Sequence, residues 1–190
     1  YERRILRILP ALFFVMTVSM IVSWLVLFDQ DFQRFAVSAI SVIGMVSNFF
    51  FWRETSSYFS VDADFIILLH TWSLAVEEQF YLVVPLLLLA VRRLWSARAA
   101  AAAVVAAIVA GSLALSIVGV AHAPNATFFL APARAWELGV GSLLAFGQGW
   151  TTRSRPVLEV AAGVGLAAIL ASALLYEADT PFPGLAAAPP

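Results

Sequence analysis

A polar stretch opens one of the long apolar segments of this sequence. Residues 70–89 read HTWSLAVEEQFYLVVPLLLL, so a histidine, a serine and two adjacent glutamates precede a run of aliphatic side chains. Each charged side chain inside a membrane segment costs about 2.5–3.5 kcal/mol on insertion scales. We therefore expect the polar groups to face the interior of a helix bundle or a water-filled cavity. At about 100° per residue, the side chains that share one helical face are His70, Ser73, Glu77 and Tyr81, with Glu78 beside them.

The spacing of these residues argues against a self-contained catalytic pair. His70 and Glu77 are two helical turns apart, or about 10 Å along the axis, so their side chains need an intermediary. A substrate, or groups from other helices, would lie between them. The alternative is structural: His70 would cap the helix near the membrane interface, and the glutamates would pair with arginines of neighbouring helices. The residues alone leave both interpretations open.

The arginines near the start of the sequence are spaced to act together. In the run RRILR, Arg3 and Arg7 lie on one side of a helix, and Arg4 is within contact range of Arg7. Planar guanidinium groups at a membrane surface suit phosphate oxygens, which they can bind through two parallel hydrogen bonds. The alternative is a positively charged anchor that fixes the topology of the helix.

A second charged motif, ARAWELG, covers residues 133–139. Its Arg134 and Glu137 are three residues apart, a spacing that allows an ion pair within one helix. The pair could bind a substrate, or it could be only a structural ion pair at the start of a helix. Both interpretations remain open at this point.

Composition places the chain among membrane proteins. Of its 190 residues, 62% are hydrophobic and 12% are charged, and the mean hydropathy is +0.92. Soluble globular domains are about half apolar and about a quarter charged. The formal net charge of −1 gives no case for nucleic-acid binding. The chain has no cysteine, which excludes disulfides, and with two histidines we expect no metal site.

We predict an all-α fold, a polytopic transmembrane helix bundle with about six spans. About twenty apolar residues cross the hydrocarbon core of a bilayer, and a helix satisfies its own backbone hydrogen bonds there. Small residues in the last two spans either mark close helix contacts or are only low-complexity alanine and glycine, and the sequence leaves both interpretations open. These residues are Gly139, Gly141, Ala145, Gly163, Gly165 and Ala168. Residues 53–64 and 122–133 are predicted loops, the second broken by proline. The predicted spans are 9–28, 35–52, 65–91, 99–121, 134–150 and 156–176.

Four motifs, in their order along the chain, resemble the membrane acyltransferase-3 family. The motifs are RRILRILPALF, SNFFFW, HTWSLAVEEQFYLVVPLLLL and FFLAPARAWELGVGSLLA. This family includes bacterial O-acyltransferases of O-antigen, peptidoglycan and exopolysaccharide. The resemblance covers residues 1 to about 150 and continues weakly to the TPFPG tail. It implies that residues 1–190 form one membrane-embedded domain, incomplete at both ends, of a bundle with about ten helices.

The resemblance also implies a reaction and its partners. An acyl group, expected to be acetyl, would pass from acyl-CoA to a hydroxyl of a cell-surface glycan or lipid-linked sugar at the bacterial inner membrane. Acyl-CoA would be the donor substrate, with no bound cofactor, and the other partners would be membrane lipids. The family's RxxR motif falls on Arg4 and Arg7, on the acyl-CoA side. Its Arg-x10-His motif, with the proposed catalytic histidine, has no match here and would lie upstream of Tyr1.

The roles implied for the polar stretch are therefore supporting ones. His70, Glu77 and Glu78 would shape the cavity or position substrate, and we expect the 190 residues by themselves to be inactive. A proton-coupled secondary transporter is the competing hypothesis, since intramembrane carboxylates can relay protons. Inverted repeats would favour it, and we find none between residues 1–95 and 96–190. The predicted substrate-binding residues are Arg4, Arg7, Ser73, Tyr81, Arg134 and Glu137.

Overall fold

The structure, a computed structural model, consists of helices and short connections in the part of the chain that it describes. The described residues are 2–56, 66–94, 98–146, 154–177 and 180–189. Within them no β-strand occurs, so the predicted all-α class is confirmed. The helices are α1 Glu2–Val26, α2 Asp29–Ile43, α3 Ser47–Thr55, α4 Thr71–Leu94, α5 Arg98–His122, α6 Pro124–Phe129, α7 Ala131–Phe146 and α8 Arg155–Leu175, followed by the 3₁₀ helix Gly184–Ala187.

Four of these helices have the length and apolar composition needed to cross a membrane, namely α1, α4, α5 and α8. Large apolar side chains on α1 and α8 are exposed: Phe14 is 70% and Leu174 is 84% exposed. Continuous apolar surface of this kind is a liability in water and suits lipid acyl chains. The described helices thus indicate a multi-pass membrane protein, and the larger number of about six spans stays a prediction.

The second predicted span, 35–52, is divided between two helices. Helix α2 ends at Ile43, and α3 begins at Ser47. Between them Met45 has a φ of 53°, in the left-handed region that residues other than glycine adopt at a cost of about 1–2 kcal/mol. This residue turns the chain out of its right-handed helical path. The prediction of one continuous helix was therefore wrong.

The predicted loop 122–133 contains the short helix α6. Pro124 lies in its first turn, where a fixed φ is already helical and a missing N–H breaks no helical hydrogen bond. The Thr127 hydroxyl donates a hydrogen bond to the backbone carbonyl of Ala123 at 2.9 Å. Proline therefore starts a helix here. The prediction of a loop was wrong for residues 124–129, and also for residues 122 and 131–133, which lie in α5 and α7.

Contacts divide the chain into two compact units, Tyr1–Ala75 and Val76–Pro190. In the first unit α1 packs on α2, and α2 packs on α3. The hydroxyl of Ser47 donates to the backbone carbonyl of Thr71 at 3.0 Å, which joins the start of α3 to the start of α4. The buried apolar side chains of this unit include Phe35, Ala39, Val42, Phe51 and Leu68.

The second unit is organised around α5. Helix α7 packs along it, α6 joins the two, and the 3₁₀ helix packs on α5 as well. A Cβ placed on Gly139 of α7 would lie only 2.5 Å from Cγ2 of Val109 on α5, whereas Gly141, Gly163 and Gly165 face open space. The close contact expected from small residues is therefore present at Gly139 and absent at the other three glycines.

The tail after α8 returns to α5. Pro183 and Gly184 are buried, and Gly184 has a φ of 39°, which favours glycine. A Cβ on Gly184 would meet Cγ1 of Val120 at 3.2 Å. The Tyr176 hydroxyl at the end of α8 donates to the backbone carbonyl of Ala186 at 2.7 Å. These contacts fix the tail against α5 and the end of α8.

The α5–α7 contact leads to a prediction about stability. Gly139→Ala should lower the free energy of unfolding by about 1–3 kcal/mol, because the added methyl group overpacks Val109. Gly141→Ala is the matched control on the same helix, and we expect it to be neutral or slightly stabilising because alanine is the better helix former. The measurement is the thermal unfolding midpoint of the complete protein in detergent.

The same experiment includes a suppressor. Val109→Ala removes the methyl groups that the new side chain would meet, so the double variant should recover most of the stability lost in Gly139→Ala. Equal midpoints for Gly139→Ala and Gly141→Ala would contradict the close packing.

Candidate functional site

The first turns of α7 carry an ion pair with little exposure to solvent. Nη2 of Arg134 lies 3.1 Å from Oε2 of Glu137, and their side chains are 14% and 29% exposed. Residues three apart on a helix lie on one side, which explains the contact. The ion pair that the spacing allowed is therefore present, and the structure brings these two predicted site residues together.

Two aromatic rings lie against the guanidinium group of this pair. Its Cζ is 5.6 Å from the ring centre of Phe128, in α6, and 5.2 Å from that of Phe182, in the tail. The two ring centres are 6.3 Å apart. Cation–π contacts contribute about 0.5–1 kcal/mol at exposed sites and about 2 kcal/mol or more when desolvated. Three segments that are separate in sequence thus hold Arg134.

Sequence reasoning missed both phenylalanines. Phe128 lies in the adjacent pair FF of the FFLAPARAWELG motif, and Phe182 lies in the TPFPG tail, which the resemblance reached only weakly. The motif offered a local signal for Phe128. No sequence spacing relates Phe182 to Arg134, because the two residues meet only when the tail packs back on α5.

Unsatisfied polar atoms occur next to the ion pair. Among the described residues, Glu137 Oε1 and Trp136 Nε1 are buried and have no hydrogen-bond partner. A buried acceptor without a donor costs about 1–3 kcal/mol, and such groups are rare enough in native proteins to require an explanation. The backbone N–H of Trp136 donates to the Ser112 hydroxyl of α5 at 3.0 Å. The backbone that carries the pair is therefore fixed on α5, while one carboxylate oxygen is left unused.

The polar residues of the stretch 70–81 differ in exposure. Helix α4 begins at Thr71, so His70 lies in the turn before it, where its carbonyl accepts a hydrogen bond from the Ser73 hydroxyl at 3.2 Å. His70 and Ser73 are exposed, the first in the turn before α4 and the second in its first turn, and their position facing a cavity stays a prediction. The half-buried members are Glu77, Glu78 and Tyr81.

The arginines near the N-terminus lie on the first turns of α1. Arg4 is half-buried, and Arg3 and Arg7 are exposed. All three are in helical conformation, so the spacing predicted for them is present. An exposed Arg7 one turn from Arg4 is an arrangement that can reach phosphate oxygens.

A groove lined mainly by residues of α2 and α3 was not predicted. It consists of two adjoining cavities of about 410 and 510 Å³ that share Phe50 and Glu54. Arg34 and Arg53 line one cavity each, which gives the groove both signs of charge. Across the described ranges, no group of three or more histidine, aspartate or glutamate side chains is arranged to hold a metal ion.

Comparison with known proteins assigns the chain to a family. The model of an acyltransferase domain, Acyl_transf_3, matches residues 1–178. The chain belongs to the membrane acyltransferase-3 family. Together with the four long apolar helices, this makes it an integral membrane protein. No solved structure matches the chain significantly.

Relatives at about one-third identity include one uncharacterized protein and two O-acetyltransferases. An uncharacterized protein of Haemophilus influenzae is 32% identical over 93% of this chain and 73% of its own length. The putative peptidoglycan O-acetyltransferase YrhL of Bacillus subtilis is 35% identical over 76% of this chain and 23% of its own. The O-acetyltransferase OatA of Staphylococcus aureus is 35% identical over 46% of this chain and 14% of its own length. This chain therefore corresponds to a minor part of the two named enzymes.

The structure makes a prediction about the buried ion pair. Glu137→Gln should lower the free energy of unfolding by about 1.5–3 kcal/mol, because it removes a hydrogen bond between charged groups and leaves Arg134 without its counter-charge. Glu159→Gln is the matched control, since its pair with Arg155 is open to solvent, with side chains 91% and 70% exposed. That change should cost between 0 and about 1 kcal/mol.

Thermal unfolding of both variants in detergent provides the measurement. If Glu159→Gln destabilised the protein as much as Glu137→Gln, the burial of the Arg134–Glu137 pair would have no energetic consequence.

Proposed function

We propose that the protein containing this domain transfers an acyl group, in the simplest case acetyl, from acyl-CoA to a hydroxyl of a cell-surface glycan. The observation that supports this most strongly is the family match over residues 1–178. Peptidoglycan is the acceptor named for one relative, YrhL, and we extend it to this protein as part of the proposal. The site of action is the bacterial plasma membrane, with membrane lipids around a bundle of about six spans in this part of the protein.

The reaction is a substitution at a thioester. The oxygen of the acceptor hydroxyl attacks the acyl carbonyl carbon, the carbon–sulfur bond breaks, and coenzyme A leaves as the thiol with the proton that the hydroxyl loses. Such a reaction needs a base for that proton and donors for the developing oxyanion. The groups on this chain would supply binding and positioning, and the principal base is expected elsewhere in the protein.

Donor binding is assigned to the start of α1. Coenzyme A carries phosphates, and Arg4 and Arg7 are planar, permanently charged donors on adjacent turns. Their helical arrangement and the exposure of Arg7 support this role.

Acceptor positioning is assigned to α4 and α7. On α4, the half-buried Glu77, Glu78 and Tyr81 offer hydrogen-bonding groups next to apolar helix surface, and Ser73 and His70 lie at its exposed start. On α7, the Arg134–Glu137 pair offers an unused carboxylate oxygen. Carboxylates and phenolic hydroxyls suit the hydroxyl groups of a sugar.

The donor assignment is tested by substitutions in α1 of the complete protein. Arg4→Lys/Arg7→Lys keeps the charge but loses the planar fork, so the KM for acetyl-CoA should rise about tenfold or more. Arg3→Ala, in the same cluster and exposed, is the matched control and should change the KM less than about twofold. The measurement is transfer of labelled acetyl groups to purified peptidoglycan.

Wild-type kinetics from the Arg4→Ala/Arg7→Ala protein, with normal membrane insertion, would leave only a topological role for these arginines.

The supporting role of His70 has its own quantitative test. Loss of a positioned general base typically reduces the rate by about 10²–10⁴-fold. Because His70 is exposed and precedes α4, we expect His70→Ala to reduce kcat by less than about tenfold. A reduction of a hundredfold or more, with the KM unchanged, would make His70 the base.

A further inference from the structure

The Arg134–Glu137 pair leaves one carboxylate oxygen available. Oε2 of Glu137 is 3.1 Å from the arginine, whereas Oε1 is buried and has no hydrogen-bond partner among the described residues. A carboxylate can accept several hydrogen bonds, and a buried acceptor without a donor is costly. A hydroxyl group donated by a ligand would satisfy Oε1, and hydroxyls are the groups that a glycan acceptor has in excess.

The availability of that oxygen depends on where the guanidinium group is held. A freely rotating arginine can bind both oxygens of a carboxylate at once, in the bidentate arrangement that arginine favours. Here Arg134 reaches Oε2 through Nη2 while its Cζ lies 5.6 and 5.2 Å from the ring centres of Phe128 and Phe182. The two rings restrict the orientation of the guanidinium plane, and this orientation determines which carboxylate oxygen of Glu137 accepts its hydrogen bond.

The ring of Phe182 is itself held by the tail. Pro183 and Gly184, the next two residues, are buried, and Gly184 lies against Val120 of α5. The hydrogen bond from Tyr176 to the carbonyl of Ala186 fixes the tail on the other side. The packing of the tail thus holds Phe182 next to Arg134, although Phe182 belongs to neither α6 nor α7.

We propose that Phe182 is a positioning residue of the acceptor site, holding Arg134 against one oxygen of Glu137 so that the other binds a hydroxyl of the glycan acceptor. The identity of the ligand rests on the proposed function. The geometry requires the π face of the ring, because the contact is with a cation. A residue that only filled space would be replaceable by any apolar side chain of similar size.

Direct binding to the complete protein in detergent tests this proposal. The probe is the soluble peptidoglycan disaccharide N-acetylglucosaminyl-N-acetylmuramic acid, titrated by calorimetry. Phe182→Leu keeps an apolar side chain but removes the ring, and we expect about tenfold weaker binding, as the loss of a desolvated cation–π contact implies. Phe182→Tyr keeps the ring and should bind within about twofold of wild type. Leu185→Ala is the control in the same segment, at a side chain that is 65% exposed, and should bind as wild type does.

Each outcome of this titration is decisive. Equal affinity for Phe182→Leu and wild type would overturn the proposal, and so would a Phe182→Tyr protein as weak as Phe182→Leu. A wild-type protein that does not bind the disaccharide would overturn the assigned ligand class. If Phe182→Leu unfolded early in a thermal scan, Phe182→Met, which also lacks the ring but fills a similar volume, would replace it in the titration, with the same expected loss and the same contradicting result.

A transfer assay on the same preparations separates this proposal from the proposed function. Wild-type protein that binds the disaccharide with the Phe182 dependence described above, yet transfers no label from acetyl-CoA, would overturn the acyl-transfer reaction and leave the acceptor site standing. Transfer that persists unchanged in Phe182→Leu, with an unchanged KM for the acceptor, would overturn the positioning role and leave the reaction standing.

Discussion

The charged side chain of Arg134 is only 14% exposed, so neighbouring groups must replace the favourable interactions that water would give its guanidinium group. Arg134 obtains a counter-charge from Glu137 and two aromatic faces from Phe128 and Phe182. These groups come from α7, α6 and the tail. Burial of this charge therefore depends on the packing of α6, α7 and the tail on α5.

Helix α5 is the element that fixes them. It contacts α6, α7 and the 3₁₀ helix, and it does so through small or short side chains such as Ser112 and Val109. Between helices in a bilayer there is no hydrophobic driving force, so association depends on close packing and on hydrogen bonds between helices. The glycine at position 139 and the hydrogen bond from Trp136 to Ser112 provide one contact of each kind.

The two charged motifs of the sequence differ in what the structure adds to them. In ARAWELG, folding brings the two charged residues together and adds aromatic neighbours from elsewhere, so the motif becomes a site with a defined geometry. In HTWSLAVEEQFY, helix α4 starts after the histidine, and exposure decreases from His70 and Ser73 to the glutamates. Family membership supports the class of reaction for both motifs, and the contacts around Arg134 support a specific role for one of them.

The sequence by itself determined the helical class, the membrane environment and the family, and its spacing allowed the Arg134–Glu137 pair that the structure contains. These properties depend on composition, on order along the chain and on contacts three residues apart, which are all local. The tertiary structure alone decided that residues 35–52 form two helices, because the left-handed Met45 has no signature in an apolar run. It also decided that Phe182 lies on Arg134, since that contact exists only after α8 ends and the tail returns to α5. Pairings between distant segments depend on packing, and packing is a property of the folded chain.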